Sequence, residues 1–259
     1  PIIILFSLKY NIYIIIMFSL KDINNEENII TKYQTNSVNK NNKNEEIVKF
    51  TFYITYAFLV TTATITFIEA MRTKNESVRH ILNLETCISV VAAFFYGLFI
   101  DKINKPEINY TEINVNRYVD WSITTPIMLL VLILAFAYNL KTKIVFSDYL
   151  VLLVFNYIML GFGFLGENDY INKNAGLVLG FGGFSALYYF IYVKYIKSKK
   201  IFDNQILFYA FLILWSLYGV SYLFDPITRN VGYNILDLLS KCFVGIFFWA
   251  YFTKVFILK

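Results

Sequence analysis

Arg117 and Asp120 lie three residues apart in the run Arg117-Tyr118-Val119-Asp120-Trp121-Ser122-Ile123-Thr124-Thr125-Pro126, which leads into an apolar segment long enough to cross a bilayer. Charges at that depth are costly and mark, by default, an ion path, a proton relay or the counter-ion of a ligand. Arg117, Asp120 and Thr124 stand at i, i+3 and i+7, one face of a helix. A second pair, Asp237 and Lys241, is one turn apart in another apolar segment near the C-terminus. A lysine amine in such a setting is a nucleophile able to condense with an aldehyde to a Schiff base. Once protonated, that base needs negative charge nearby, which Asp120 and Asp237 can supply. The alternative is a structural salt bridge among Arg117, Asp120, Asp237 and Lys241, since buried ion pairs also serve packing and specificity.

Further polar groups share these apolar segments. Glu85 sits in the inner half of the second one and reads either as functional or as a hydrogen-bonded packing residue. Asn83, Glu85 and Ser89 form an expected polar stripe toward the bundle. Asn234 shares a face with Asp237, with Ser240 near it. Glu69 closes the first segment as an interfacial acid.

The elements that must position these groups are seven apolar stretches, at about 48–71, 78–101, 116–138, 146–166, 175–196, 205–224 and 231–256. Each is near the ~20 residues that cross ~30 Å of hydrocarbon. Arg72, Lys74 and Arg79 follow the first, Lys141 and Lys143 the third, and Lys194, Lys197, Lys199 and Lys200 the fifth; Lys254 and Lys259 close the seventh. All fall on one side, which the positive-inside rule assigns to the cytoplasm. The expected fold is therefore all-α: a seven-transmembrane-helix bundle over 47–259, N-terminus outside and C-terminus cytoplasmic. Its longest outer loop is expected at about 101–115. Residues 1–20 read as a signal-like segment, an extra helix or sequence upstream of the true start, with Met17 a plausible initiator. Residues 21–46, dense in Asn, Lys and Glu, read as a polar arm.

Composition narrows the classes. The chain is 58% hydrophobic and 19% aromatic but only 16% charged, against roughly 25% charged in soluble domains. That points to an integral, multi-pass membrane protein surrounded by lipid. The net charge of +5 comes from short lysine-rich loops and gives no support to a nucleic-acid partner. Cys87 and Cys242 offer neither a disulfide framework nor metal-ligand spacing. With His80 the single histidine, no metal site is expected.

On these residues the chain resembles the microbial (type I) rhodopsins, over about residues 48–256. Arg117-Tyr118-x-Asp120-Trp121-x-x-Thr124-Thr125-Pro126 is similar to that family's third-helix motif, and Asp237-x-x-x-Lys241 to its retinal-attachment motif. The resemblance implies all-trans-retinal on Lys241 as a protonated Schiff base. Asp120 would be primary counter-ion and proton acceptor, Asp237 the second counter-ion, and Arg117 the group that biases both and gates the outer path. Trp121, Trp215 and Tyr222 look like the aromatic walls of the polyene pocket. Tyr96 and Tyr218 resemble the tyrosines that hydrogen-bond the second carboxylate. Met128, Met159 and Gly163 fall where the family lines the ring end, and Met128 at a tuning position implies a green absorption maximum. Thr125 and Asn156 look like a polar pair joining helices three and four.

Departures bear on mechanism. Val131 stands where outward proton pumps of this family carry an acid three turns inward of the counter-ion. Arg229 lies where the best-known pumps have an acidic release group, and Gly219 replaces a usual proline. The missing donor, the Glu85 stripe and a general likeness to rhodopsins of large DNA viruses of algae and protists favour a light-gated cation or proton channel. The alternatives are a light-driven outward proton pump, with Glu85 or water reprotonating the Schiff base, a sensory photoreceptor, and a purely structural salt bridge. None is an enzyme. Family analogy implies a homo-oligomer, trimer or pentamer, and a viral origin implies a host-cell membrane.

Overall fold

The computed structural model describes residues 45–197 and 199–253. The apolar stretch 1–20, most of the polar arm, Lys254 and Lys259 lie outside the described residues; Glu45 and Glu46, read as the end of the arm, already belong to the first helix. Among the described residues seven helices are long and apolar enough to cross a membrane: α1 Glu45–Arg72, α2 Glu76–Ile103, α3 Tyr110–Leu140, α4 Phe146–Glu167, α5 Lys173–Ile196, α6 Phe202–Tyr222 and α7 Pro226–Thr253.

The expected spans are all present, but several helices run longer. The outer loop read at 101–115 shrinks to the short link between Ile103 and Tyr110. Asn109 caps α3 by accepting from the Glu112 amide at 3.1 Å, and Lys102 pairs with Glu112 at 2.8 Å across the link. Hydropathy marks only the part of a helix inside hydrocarbon, so polar end turns escape it. The same holds for α7, expected from 231. Asp225 caps it and Pro226 fills the first turn, where a missing N–H costs nothing. His80 is exposed on α2.

Phe94, Val178, Tyr189 and Ile213 are more than half exposed. So much apolar surface on every side suits helices bathed in lipid. α3 is the axis of the bundle: 67% of its most apolar window is buried, against 17% for α4. Pro126 inside α3 cannot donate to the Ser122 carbonyl one turn back, and the Tyr157 hydroxyl of α4 donates to that carbonyl at 3.1 Å instead. α4 and α5 pack backbone to backbone. A Cβ on Gly176 would lie 2.8 Å from the Phe162 carbonyl, and one on Gly183 2.9 Å from the Met159 amide. Small residues at those positions are what lets the two helices meet.

Candidate functional site: a buried lysine between two aspartates

α3 and α7 bring the two sequence motifs face to face. Lys241 donates to Asp120 at 2.7 Å and lies 3.5 Å from Asp237, and all three side chains are essentially inaccessible. Around Lys241 the backbone of α7 widens into a π-helical segment, Leu238–Phe243. Such bulges place an extra residue in a turn and occur often at functional sites. Arg117 sits at 3.2 Å from Asp237 and donates to Asn230 and Asn234 at 3.1 and 2.8 Å. Tyr96 and Tyr218 donate to the two oxygens of Asp237 at 2.8 and 2.7 Å, and Ser240 lies 2.9 Å from the Tyr218 hydroxyl. Two cations and two carboxylates thus share one buried volume. Each remaining Asp237 lone pair is taken by a neutral donor, which a buried pair requires to be tolerable.

Lys241 also opens onto a cavity of about 110 Å³, lined among others by Trp121, Thr125, Met128, Met159, Gly163, Trp215, Tyr218 and Tyr222. Every residue predicted for the pocket is therefore on its wall except two. Thr124 is fully buried and bonds back to the Asp120 carbonyl at 2.9 Å, and Tyr96 lies on the Asp237 side. Gly219 is also on the wall. A side chain there would run into the ring of Phe181, which fills the room left at this position. Thr125 accepts from Asn156 at 2.9 Å, joining α3 to α4. An apolar, aromatic slot with an amine among its lining residues fits a long apolar aldehyde such as retinal. Asp120 Oδ1 and Trp121 Nε1 are buried with no partner, so part of the site's polar capacity is left open beside that amine.

Glu85 is buried at 2% exposure. No ion pair or hydrogen bond joins it to another side chain among the described residues. The expected stripe does not form as read: Asn83 is exposed, because positions two apart lie on nearly opposite faces of a helix. Thr86 and Ser89 are the polar neighbours that turn inward, Ser89 fully buried and Thr86 partly so. Val131 is buried among Leu132, Leu129 and other apolar residues.

At the opposite end of the bundle lies a cluster the sequence did not disclose. Glu167, the last residue of α4, pairs with Arg229 of α7 at 2.6 Å and accepts from Tyr118 and Tyr233 at 3.1 and 3.4 Å. Both tyrosines line the pocket. The ring of Tyr233 also lies 5.4 Å from the Arg117 guanidinium, so it stands between the two arginine–carboxylate groups. Glu167 falls just past the apolar stretch expected at 146–166. Its i+4 spacing from Gly163 was the available sign that it shares the pocket face.

With this geometry in place, the relatives can be compared. The family model described as bacteriorhodopsin-like protein matches residues 46–255, and the chain belongs to that family. It is a microbial (type I) rhodopsin, a class of integral membrane proteins that are not enzymes. The structure of viral rhodopsin OLPVRII is 58% identical, with a TM-score of 0.76 over 81% of this chain and 99% of that one. The green-light absorbing proteorhodopsin of Gamma-proteobacterium EBAC31A08 is 25% identical over 78% of this chain and 85% of its own length. The proton pumping rhodopsin AR2 of the marine alga Acetabularia acetabulum, 21% identical, shares the fold with a TM-score of 0.67 over 81% of this chain and 96% of its own.

Proposed function

We propose that the protein is a light-driven outward proton pump with all-trans-retinal bound covalently to Lys241. The observation that carries this reading is the 2.7 Å contact of Lys241 with Asp120 inside a network that also holds Asp237 and Arg117. The loops bearing Arg72, Lys74, Arg79, Lys141, Lys143 and Lys194 mark the cytoplasmic side, so Asp120 lies outward of mid-bundle and Glu85 inward. Lys241 would hold retinal between Trp121, Trp215 and Tyr222, and retinal bound there would supply a light-driven change of shape that could part the Lys241 nitrogen from Asp120. Asp120 then takes the proton from that nitrogen, because its carboxylate is nearest and has a free oxygen to receive it. Asp237 stays held by Arg117, Tyr96 and Tyr218 and remains a second carboxylate beside Lys241. Glu85 returns a proton from the inner side. An acid with no cation beside it in an apolar setting is best accommodated neutral, the form a donor needs.

Sequence alone favoured a channel. The pump reading is better supported. Asn83 turns out of the bundle, which breaks the polar track on which conduction rested. Inward of Glu85, Val78, Leu82 and Ala70 pack with Trp249 and Phe252 and form an apolar plug, which suits one-way proton transfer. The 58% identical viral relative supports a host-cell membrane as the location. A homo-oligomer, with lipid on its remaining surface, is part of the same proposal.

Photocurrent under voltage clamp, with retinal supplied and the potential swept, tests the reading. A pump gives outward current that never reverses. Current reversing with the cation gradient would restore the channel, and a coloured, correctly inserted protein with no current would leave a sensor.

A further inference from the structure

We propose that the proton from Glu85 reaches the Lys241 nitrogen through a short hydroxyl-lined relay on the α1–α2–α7 seam, with Ser89 and Thr62 as its polar lining and Gly245 keeping it open. This rests on the reading of Glu85 as internal proton donor and specifies its route.

Three observations locate the relay. A Cβ built on Gly245 would lie 3.1 Å from Glu85 Oε2 and 2.8 Å from Thr62 Cγ2, so the Glu85 carboxyl reaches across α2 to the bare backbone of α7. Gly245 is one turn inward of Lys241, about 6 Å along the helix. The donor here therefore approaches from the side of α1 and α2 rather than along α3, where Val131 stands. Second, Ser89 is one turn outward of Glu85 on the same face of α2, which brings it toward the level of Lys241. Third, the Ser89 hydroxyl is buried without a hydrogen-bond partner, while the buried Thr62 hydroxyl has the Cys242 thiol beside it as its partner. Buried hydroxyls in native proteins nearly always have a partner, commonly an ordered water. An orphan hydroxyl one turn from the Glu85 carboxyl, on the side of the Lys241 amine, marks a place where such a water would bridge.

In the step itself, the O–H bond of Glu85 breaks and an N–H bond forms at Lys241, leaving Glu85 a carboxylate. The plug of Leu82, Val78 and Trp249 must then admit a proton from the inner side to restore it. The relay explains why this position of α7 is glycine: any side chain would displace the Thr62 methyl or the carboxyl.

Flash photolysis of the full retinal-loaded protein separates proton loss from the Lys241 nitrogen, seen as the rise of the blue-shifted species, from its recovery. Gly245→Ala is expected to leave the rise unchanged and slow the recovery by about tenfold or more. Ser89→Ala should slow it severalfold, and Ser89→Thr, which keeps the hydroxyl, should restore it. If Gly245→Ala fails to assemble with retinal, the Ser89 pair and Thr62→Val carry the same test. Recovery slowed by Glu85→Gln but untouched by the Ser89 and Thr62 substitutions would overturn the relay while leaving the donor in place. Recovery unaffected by Glu85→Gln would overturn the donor reading itself.

Discussion

Outward of Lys241, two arginines, Arg117 and Arg229, and two carboxylates, Asp237 and Glu167, are knitted together by tyrosines and asparagines with hardly a lone pair to spare. Inward of it, one buried carboxyl, Glu85, stands without an ionic partner among the described residues, behind an apolar plug. The difference is physical as well as compositional. Paired charges in low dielectric hold a fixed geometry, because removing one strands the other. A lone acid can lose and regain a proton with little rearrangement around it. On the proposed reading, the outer half holds charge in place and the inner half lets a single proton through.

The largest effect comes from removing the group that divides the halves. Lys241→Ala is expected to abolish visible absorbance on addition of retinal while the seven-helix protein still inserts. A coloured variant would mean that the pocket binds retinal without the lysine. Asp120→Asn acts next. It leaves the attachment but removes the carboxylate 2.7 Å from Lys241, so absorption should move to the red and outward photocurrent should vanish. An unchanged spectrum would take Asp120 out of the counter-ion role.

A smaller effect tests the contrast directly. Glu167→Gln strips Arg229 of its anion and should cost about 3–5 kcal/mol, the range for breaking a buried pair, read as faster thermal bleaching. Adding Arg229→Gln should recover much of that loss, since both charges are then gone. Glu85→Gln, which strands no cation, should bleach nearly as slowly as the parent. Equal losses from Glu167→Gln and Glu85→Gln would erase the distinction between the two halves.

How far the sequence carried this picture follows from the same contrast. The seven spans were legible because hydrocarbon imposes length and apolarity on each, and Arg117, Asp120, Asp237 and Lys241 because charge inside such spans is rare. The pocket wall was expected from the resemblance to the microbial rhodopsins, which placed Trp121, Met128 and Trp215 around the polyene. Glu167 was missed because an acid at the end of a span resembles any interfacial residue, and only the packing of α4 against α7 gives it Arg229. Asn83 was misplaced by reading polarity along α2 without its rotation. Helix ends at Tyr110 and Pro226 were hidden because capping by Asn109 and Asp225 is written in polar residues that hydropathy discards.

That last point yields the smallest and most local prediction. Asp225 accepts from the amides of Ile227 and Thr228 at 3.1 and 3.2 Å and so fixes the first turn of α7. Arg229, one turn on, donates to the adjacent Phe224 carbonyl through Nε and Nη2, so the cap also sets the angle at which Arg229 meets Glu167. Asp225→Ala should cost about 1 kcal/mol, and Asp225→Asn, which keeps an acceptor, much less. Acid should act in the same direction. The Thr228 hydroxyl first, then the amides of Thr228 and Ile227, hold the Asp225 carboxyl below its ordinary range. Its contribution is therefore complete above the ordinary carboxylate value and fades as pH falls through the lowered one. The substitution should speed thermal bleaching slightly and leave the recovery of the Lys241 proton untouched, since that step belongs to the inner half. A slowed recovery would mean that the start of α7 and the Gly245 region move as one rigid helix across the π-helical segment, and that the two halves are mechanically coupled.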